Sequence, residues 1–235
     1  MNNKIVKFTS FFITILVTFF VVLIFSFVIE LTLLFKCEND VTRRELKINN
    51  LVHFATIEQL EHYLKSNPDD YVAIIKIAKI LEDLGRKAEA NKTYLYAIKV
   101  SSRANYALYH YAIFCAKNHM YLTSSAFAED MIGHSKRTIN YKGKIYEIMA
   151  DGMFEDKEYL AATKAYQIAY KYLKNVEKNK HLSELKQKYA QSYIKLADQQ
   201  ISDNMIDEAI VSLQNSIDIK ETPFANYKLG LIYLD

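Results

Sequence analysis

Two apolar patterns follow one another along the chain. Residues 8–29, FTSFFITILVTFFVVLIFSFVI, are 22 consecutive uncharged residues, 17 of them strongly apolar. As a helix the run would be roughly 33 Å long at about 1.5 Å per residue, close to the ~30 Å hydrocarbon core of a bilayer. It is apolar on every face, unlike an amphipathic helix on a globular surface. It also exceeds the apolar stretch of a secretory signal, about 7–15 residues, and shows no small-residue cleavage site. The pattern predicts a transmembrane helix over 8–35, after a short tail at 1–7 and before a polar linker at 36–53. Ser10, Thr14 and Thr18 fall on one face, which is either the ordinary hydroxyl content of such an anchor or a surface where membrane helices can approach closely.

From about Phe54 the apolar positions take the period of amphipathic helices. The clearest unit starts at Tyr71, with Ile74, Ile77, Ala78 and Leu81 sharing one face. A turn follows at Leu84-Gly85-Arg86, and Ala90, Tyr94 and Ala97 line a second helix. Small residues at facing positions let two antiparallel helices approach closely, and larger neighbours fill the gaps. Gly85 suits the turn because a left-handed backbone costs it little. The same arrangement recurs. Ala112 and Cys115, then Ala128 and Met131, take the inner positions of a second unit whose turn holds Asn118-His119. Tyr146, Met149, Ala150 and Met153, then Tyr159, Ala162, Tyr166 and Ala169, form a third. Tyr193, Leu196 and Ala197, then Ile206, Ala209 and Leu213, form a fourth, closed by Pro223. Leu60 and Tyr63 face inward on a leading helix that Pro68 ends, since its ring cannot continue a helix interior.

These units resemble the tetratricopeptide repeat, a helix–turn–helix motif of about 34 residues with small residues at set positions. The resemblance covers roughly residues 54–235, as a partial repeat at 54–70, repeats at about 71–104, 105–138, 143–176 and 190–223, and a partial repeat at 224–235. About four residues are added near Arg137 to Tyr141 and about 13 near Val176 to Tyr189. The second addition is charged and helix-favouring, which predicts longer helices there. The expected fold is therefore all-α: an N-terminal transmembrane helix followed by a tetratricopeptide-like α-solenoid of antiparallel helix hairpins.

Composition agrees with helices and narrows the chemistry. Five Gly and two Pro in 235 residues are too few for a turn-rich β fold. A formal net charge of +3 makes no case for nucleic acid. The two cysteines, Cys37 and Cys115, lie in different segments, so no disulfide framework is expected. Lys36 before Cys37 departs from the small residues a lipoprotein site requires. No phosphate-binding glycine loop and no HExxH, CxxC or GxSxG motif occurs. Cys115 and His119 are four residues apart with His110 nearby, but Cys115 falls at a packed position and His119 at a turn. Asn91-Lys92-Thr93 is a glycosylation triplet inside a predicted helix. No enzyme, cofactor or metal site is expected.

The resemblance implies that the first helices line a concave groove for a protein or peptide. Carried over residue by residue, that places Val72, Ile75 and Lys79 on the groove, then Tyr106, Tyr109, Ile113 and Lys117. Lys144, Glu147 and Asp151 follow, then Ile194 and Asp198. Members that grip a C-terminal carboxylate need Lys where Ile75 stands and Asn where Lys79 stands, so only Lys144 fits that clamp. The chain thus reads as a membrane-anchored scaffold or adaptor for protein–protein interaction, in envelope assembly or secretion. The short tail favours a soluble domain outside the cytoplasm, although the flanking charges are nearly balanced. Two other readings follow from the last helix, whose Leu229, Ile232 and Tyr233 lack a covering second helix. One is the regulatory N-terminal region of a larger enzyme with its catalytic domain beyond residue 235. The other is a homo-oligomer joined through that end.

Overall fold

The computed structural model describes residues 57–234. The predicted tail, transmembrane helix and linker (1–7, 8–35 and 36–53) lie outside the described residues. Among those described, no strand occurs. The helices are α1 (Ile57–Ser66), α2 (Tyr71–Asp83), α3 (Lys87–Val100), α4 (Asn105–Lys117) and α5 (Tyr121–Glu129). They continue as α6 (Lys136–Glu155), α7 (Tyr159–Leu173), α8 (Asn179–Ser202), α9 (Ile206–Ile219) and α10 (Pro223–Ile232). No described helix is long and apolar enough to cross a membrane. The described residues from Leu60 onward belong to one compact unit.

The first helices of the four hairpins end in the same way, and α3 closes with the same pair of bonds at Ser102 and Arg103. Gly85, His119, Lys157 and Asn204 have φ of +73°, +60°, +63° and +60°. At each, the left-handed residue donates its N–H to the carbonyl three residues back, and the next residue donates five residues back. The second of these bonds is Arg86 to Leu81, Met120 to Cys115, Glu158 to Met153 and Met205 to Gln200, at 2.8–2.9 Å. This double bond satisfies carbonyls that would otherwise be orphaned at a helix end. It also reverses the chain so tightly that α3, α5, α7 and α9 start without a side-chain cap. Among the helices that open a hairpin or follow the last one, three use side chains instead, whereas α4 and α8 have no side-chain cap. Asp70 caps α2, Ser135 caps α6, and Thr222 caps α10, each accepting from a backbone N–H. Pro223 is therefore the first residue of a new helix, where its missing N–H costs nothing.

The left-handed residues that end these four first helices lie 34, 38 and 47 positions apart, and the same small side chains sit at fixed distances from each. Seven residues before come Ala78, Ala112, Ala150 and Ala197; five after come Ala90, Ser124, Ala162 and Ala209. All eight are fully buried. Successive helices pack pairwise, α2 on α3, α4 on α5, α6 on α7 and α8 on α9. Each pair meets the next through α3 on α4, α5 on α6, α7 on α8 and α9 on α10. The first helices α2, α4 and α6 also touch in turn. The described unit is a row of helical hairpins built on one recurring pattern.

Two details differ from the sequence expectation. In the second hairpin the small position belongs to Ser124, whose hydroxyl donates to the Ala112 carbonyl at 2.8 Å. Its α5 stops at Glu129, so Met131 is buried beyond the helix rather than on it. A search for alanine passes over a serine that removes its own polarity by bonding inward. In the fourth hairpin Ile206 is exposed, because it is the first residue of α9 and lies at the turn.

The two added segments both become helix. The first extends α6 at its N-terminus to 20 residues, and the second makes α8 a single helix of 24. The first half of α8 packs against α6 and α7, with Lys188 paired to Asp151 and Tyr189 beside Tyr166. Its second half does something separate. Ile194 and Ala197 join Ala209, Leu213 and Ala225 in a hydrophobic cluster of their own, flanked by Ile217, Leu229 and Ile232. The long helix is shared between two cores.

Candidate functional site

The side chains expected on the first-helix face divide by burial. Val72, Ile75, Tyr106 and Ile194 are buried, at 3, 1, 6 and 1 % exposure. They offer almost no surface to a partner. Lys79, Tyr109, Ile113, Lys144, Glu147, Asp151 and Asp198 are half-buried, and Lys117 is exposed.

Around α4 these residues converge on His110, which the sequence reading left out of the groove. Its ring lies edge-on to Tyr106 at 4.5 Å and 4.9 Å from the Tyr109 ring. Nε2 is 3.2 Å from the Lys79 ammonium on α2. Burial pushes the His110 pKa well below its ordinary value, and the positive charges of Lys79, Lys117 and Arg137 push the same way. The ring is therefore neutral near pH 7 and accepts at Nε2 from Lys79. Tyr109 stacks on Tyr141 of α6 at 3.9 Å, and Arg137 donates from Nε to the Tyr141 hydroxyl at 2.7 Å.

Around α6 the face is charged and cross-linked. Asp151 accepts from the Tyr166 hydroxyl of its own hairpin at 2.6 Å and from Lys188 of the next at 2.7 Å. Glu82 does the same two hairpins earlier, with Tyr94 and Lys117 both at 3.0 Å. An acid near the end of a first helix thus ties its own second helix to the following first helix. Glu147 faces His181 Nε2 at 2.9 Å and Lys188 at 3.6 Å. Glu177 faces Lys144 and His181 Nδ1, both at 3.5 Å. Burial alone would lower the Lys188 pKa, but its bonds to Asp151 and the charges of Asp151 and Glu147 raise it. Burial alone would raise that of Glu177, but Lys144, Asn140 and His181 lower it. Asp198 pairs with Lys228 of α10 at 2.7 Å.

The residues that sequence reasoning missed come largely from the two added segments. Arg137 and Tyr141 lie in the extra turn of α6, and His181 and Lys188 in the extra length of α8. A frame of fixed repeat length has no position for them. The departures from 34 residues were the only signal, and they mark where the face acquires side chains that a regular array lacks.

No protein-family model matches the sequence, and no curated protein matches it. Several solved structures are similar to the chain in part. The crystal structure of MamA is 14 % identical, with a TM-score of 0.44 over 70 % of this chain and 86 % of that one. YrrB, a TPR protein with an unusual peptide-binding site, is 14 % identical, with a TM-score of 0.41 over 71 % and 94 %. Yeast Tom70 is 14 % identical, with a TM-score of 0.38 over 77 % and 44 %. These superpositions are partial, and the description of a row of helical hairpins rests on the turns and packing given above.

The cysteine and the histidine near the second turn have different surroundings. The Cys115 thiol is buried, and burial pushes its pKa up to about 11. His119 is on the exposed turn, with Nδ1 2.7 Å from Asp156 of the next hairpin. Among the described residues no group of His, Cys, Asp and Glu is placed to hold a metal. Asn91 of the glycosylation triplet lies within α3, and its Oδ1 accepts from the Tyr111 hydroxyl at 3.0 Å.

Proposed function

We propose that this chain is a membrane-anchored adaptor of tetratricopeptide type. Residues 8–29 would hold it in a bilayer as a single span, and the hairpin row would bind an extended peptide or a helix from another protein. The observation that carries the binding half is the adjacency of first-helix side chains from successive hairpins. Tyr109, Ile113 and Lys117 on α4 lead to Lys144, Glu147 and Asp151 on α6 and Asp198 on α8. Lys79 lies beside His110 at the other side. Buried Val72, Ile75, Tyr106 and Ile194 lie behind this face and fix its shape. An apolar and aromatic stretch next to a charged one suits an amphipathic ligand, with rings as anchors and charges setting register. The anchor half rests on the length and uniformity of the apolar run, and the extracytoplasmic placement on the short tail before it. An anchor also concentrates the binding surface at the membrane, which favours weak partners.

In-cell crosslinking followed by affinity capture and mass spectrometry tests the binding half. Tyr109→Ala with Ile113→Ala should reduce recovery of the partner about tenfold or more, as loss of an anchor pair does, while the melting midpoint shows the fold is kept. Equal recovery from the wild type and this double variant would refute the assigned face. Alkaline carbonate extraction tests the anchor: release of the chain into the supernatant would refute it. Protease access to intact cells or spheroplasts assigns the side.

A further inference from the structure

The positive charge of this chain is gathered in one place. Residues 159–180 hold five lysines and one acid, while the rest of the chain holds 25 basic and 26 acidic residues. The one acid, Glu177, is engaged by Lys144 and His181. Lys164, Lys171, Lys174, Lys178 and Lys180 are all exposed. None of their side chains makes a hydrogen bond or ion pair among the described residues. On α7 and its C-cap residue, the exposed positions Leu160, Lys164, Gln167, Lys171 and Lys174 fall within an arc of about 80° at 3.6 residues per turn, over about 21 Å. The opposite side of α7 is the buried one, with Ala162, Tyr166, Ala169 and Leu173. Lys186 of α8, lying 5.4 Å over the Tyr170 ring, widens the stripe. Elsewhere several exposed cations are answered, Arg86 by Glu89, Arg103 by Asp130, Lys117 by Glu82 and Lys188 by Asp151, and exposed lysines such as Lys65, Lys92 and Lys136 are scattered singly rather than aligned on one helix side.

We propose that this lysine stripe of α7 and the α7–α8 connection rests on an anionic phospholipid surface. The inference rests on the membrane-anchored reading given above, which supplies the bilayer at high local concentration. A straight row of unpaired ammonium groups along one helix side matches a plane of phosphate headgroups, and each lysine at such a surface contributes about fivefold to the partition. Leu160, 55 % exposed at one end of the stripe, adds an apolar contact. A chain-wide surplus would suit any polyanion, but here the remainder of the chain is balanced. Docking in this way would orient the hairpin row, holding α7 against the lipid and turning the first helices away from it.

The test uses the full chain reconstituted in vesicles of phosphatidylcholine, alone or with added phosphatidylserine. Lysine acetylation is followed residue by residue by mass spectrometry. The proposal expects Lys164, Lys171, Lys174, Lys178 and Lys180 to react severalfold more slowly on the anionic vesicles, Lys92 of α3 to be unchanged, and high salt to remove the difference. In a chain carrying Lys164→Glu, Lys171→Glu and Lys174→Glu, Lys178 and Lys180 should regain the phosphatidylcholine rate. The corresponding glutamine variant, free of charge reversal, should do so in part. Equal rates on both vesicles overturn the proposal. Protection by added polyglutamate but not by lipid also overturns it, in favour of an acidic protein partner. If the chain is not retained by phosphatidylcholine vesicles, the anchor reading fails by itself. Flotation with anionic vesicles then decides: salt-sensitive flotation lost in both variants supports the stripe, and no flotation overturns it.

Discussion

At Gly85, His119, Lys157 and Asn204 the backbone is left-handed, but only one of the four is glycine. A left-handed residue with a side chain costs roughly 1–2 kcal/mol, so these turns are not equally stable. Lys157 is exposed at its turn. Lys157→Gly should stabilise the fold by about 0.5–1 kcal/mol, since relief of the strain is partly offset by the freer unfolded chain. Gly85→Ala, where a Cβ meets nothing within 4 Å, should cost about 1 kcal/mol through the backbone alone. Urea midpoints at constant slope check both. Gly85 is legible as a turn from its identity, whereas Lys157 and Asn204 are legible only by their distance from it. His110 gives a pH prediction. Its folded pKa lies well below the ordinary value of 6.5, so below pH 6.5 the unfolded chain binds a proton that the folded one does not. Stability should then fall on acidification, by at most about 1.4 kcal/mol per pH unit. Comparison of unfolding free energies at pH 7.5 and pH 5.5 should show the drop, and His110→Gln should shrink it. The carboxylates act in a lower window. Asp156, held down by bonds from Tyr121 and His119, and Glu177 contribute stability above their unfolded pKa values. That contribution is lost as pH falls through the folded ones.

Small residues let the helices approach one another closely here, and at the α6–α7 crossing a glycine marks such an approach. A Cβ on Gly143 would lie 2.5 Å from both Cγ and Cδ2 of the buried Leu173. In an isolated helix Gly→Ala is favourable by about 1 kcal/mol. At this crossing the overlap should win, and Gly143→Ala should destabilise by about 1–3 kcal/mol. Ala150→Leu, at a fully buried position of the same helix, should cost at least as much. Thermal unfolding of the two variants measures both. The paired helices were legible in the sequence because alanine recurs at facing positions with larger residues beside it. Ser124 was not legible as a member of that set, since its fitness there depends on a bond to the Ala112 carbonyl that no spacing shows. The charged segment after Val176 was legible as helix. Its partners were not.

Across the whole described unit, α8 joins two hydrophobic cores, and the second contains few large side chains: Ile194, Leu213 and three alanines, with Ile217, Leu229 and Ile232 around them. A small core opens more easily than a large one. Hydrogen exchange should therefore be faster in α9 and α10 than in α4, α6 and α7. Gln191→Gly, at an exposed position between the two halves of α8, removes about 1 kcal/mol of helix stability. It should speed exchange in α9 and α10 while leaving α2 to α4 unchanged; uniform acceleration would mean that the unit opens as one. The amino-acid sequence by itself determined the apolar run at 8–29, the helical period after it, the small facing residues and the lengths of the two added segments. All of these are local in the chain, or repeat at near-constant distance. Only the tertiary structure decided that α8 is divided between two cores, that Val72, Ile75, Tyr106 and Ile194 are buried, and that His110, Tyr141, His181 and Lys188 stand beside the first-helix face. Each of those depends on which side of a helix meets a neighbour more than 30 residues away, and an added segment rotates and shifts that side without changing the local pattern.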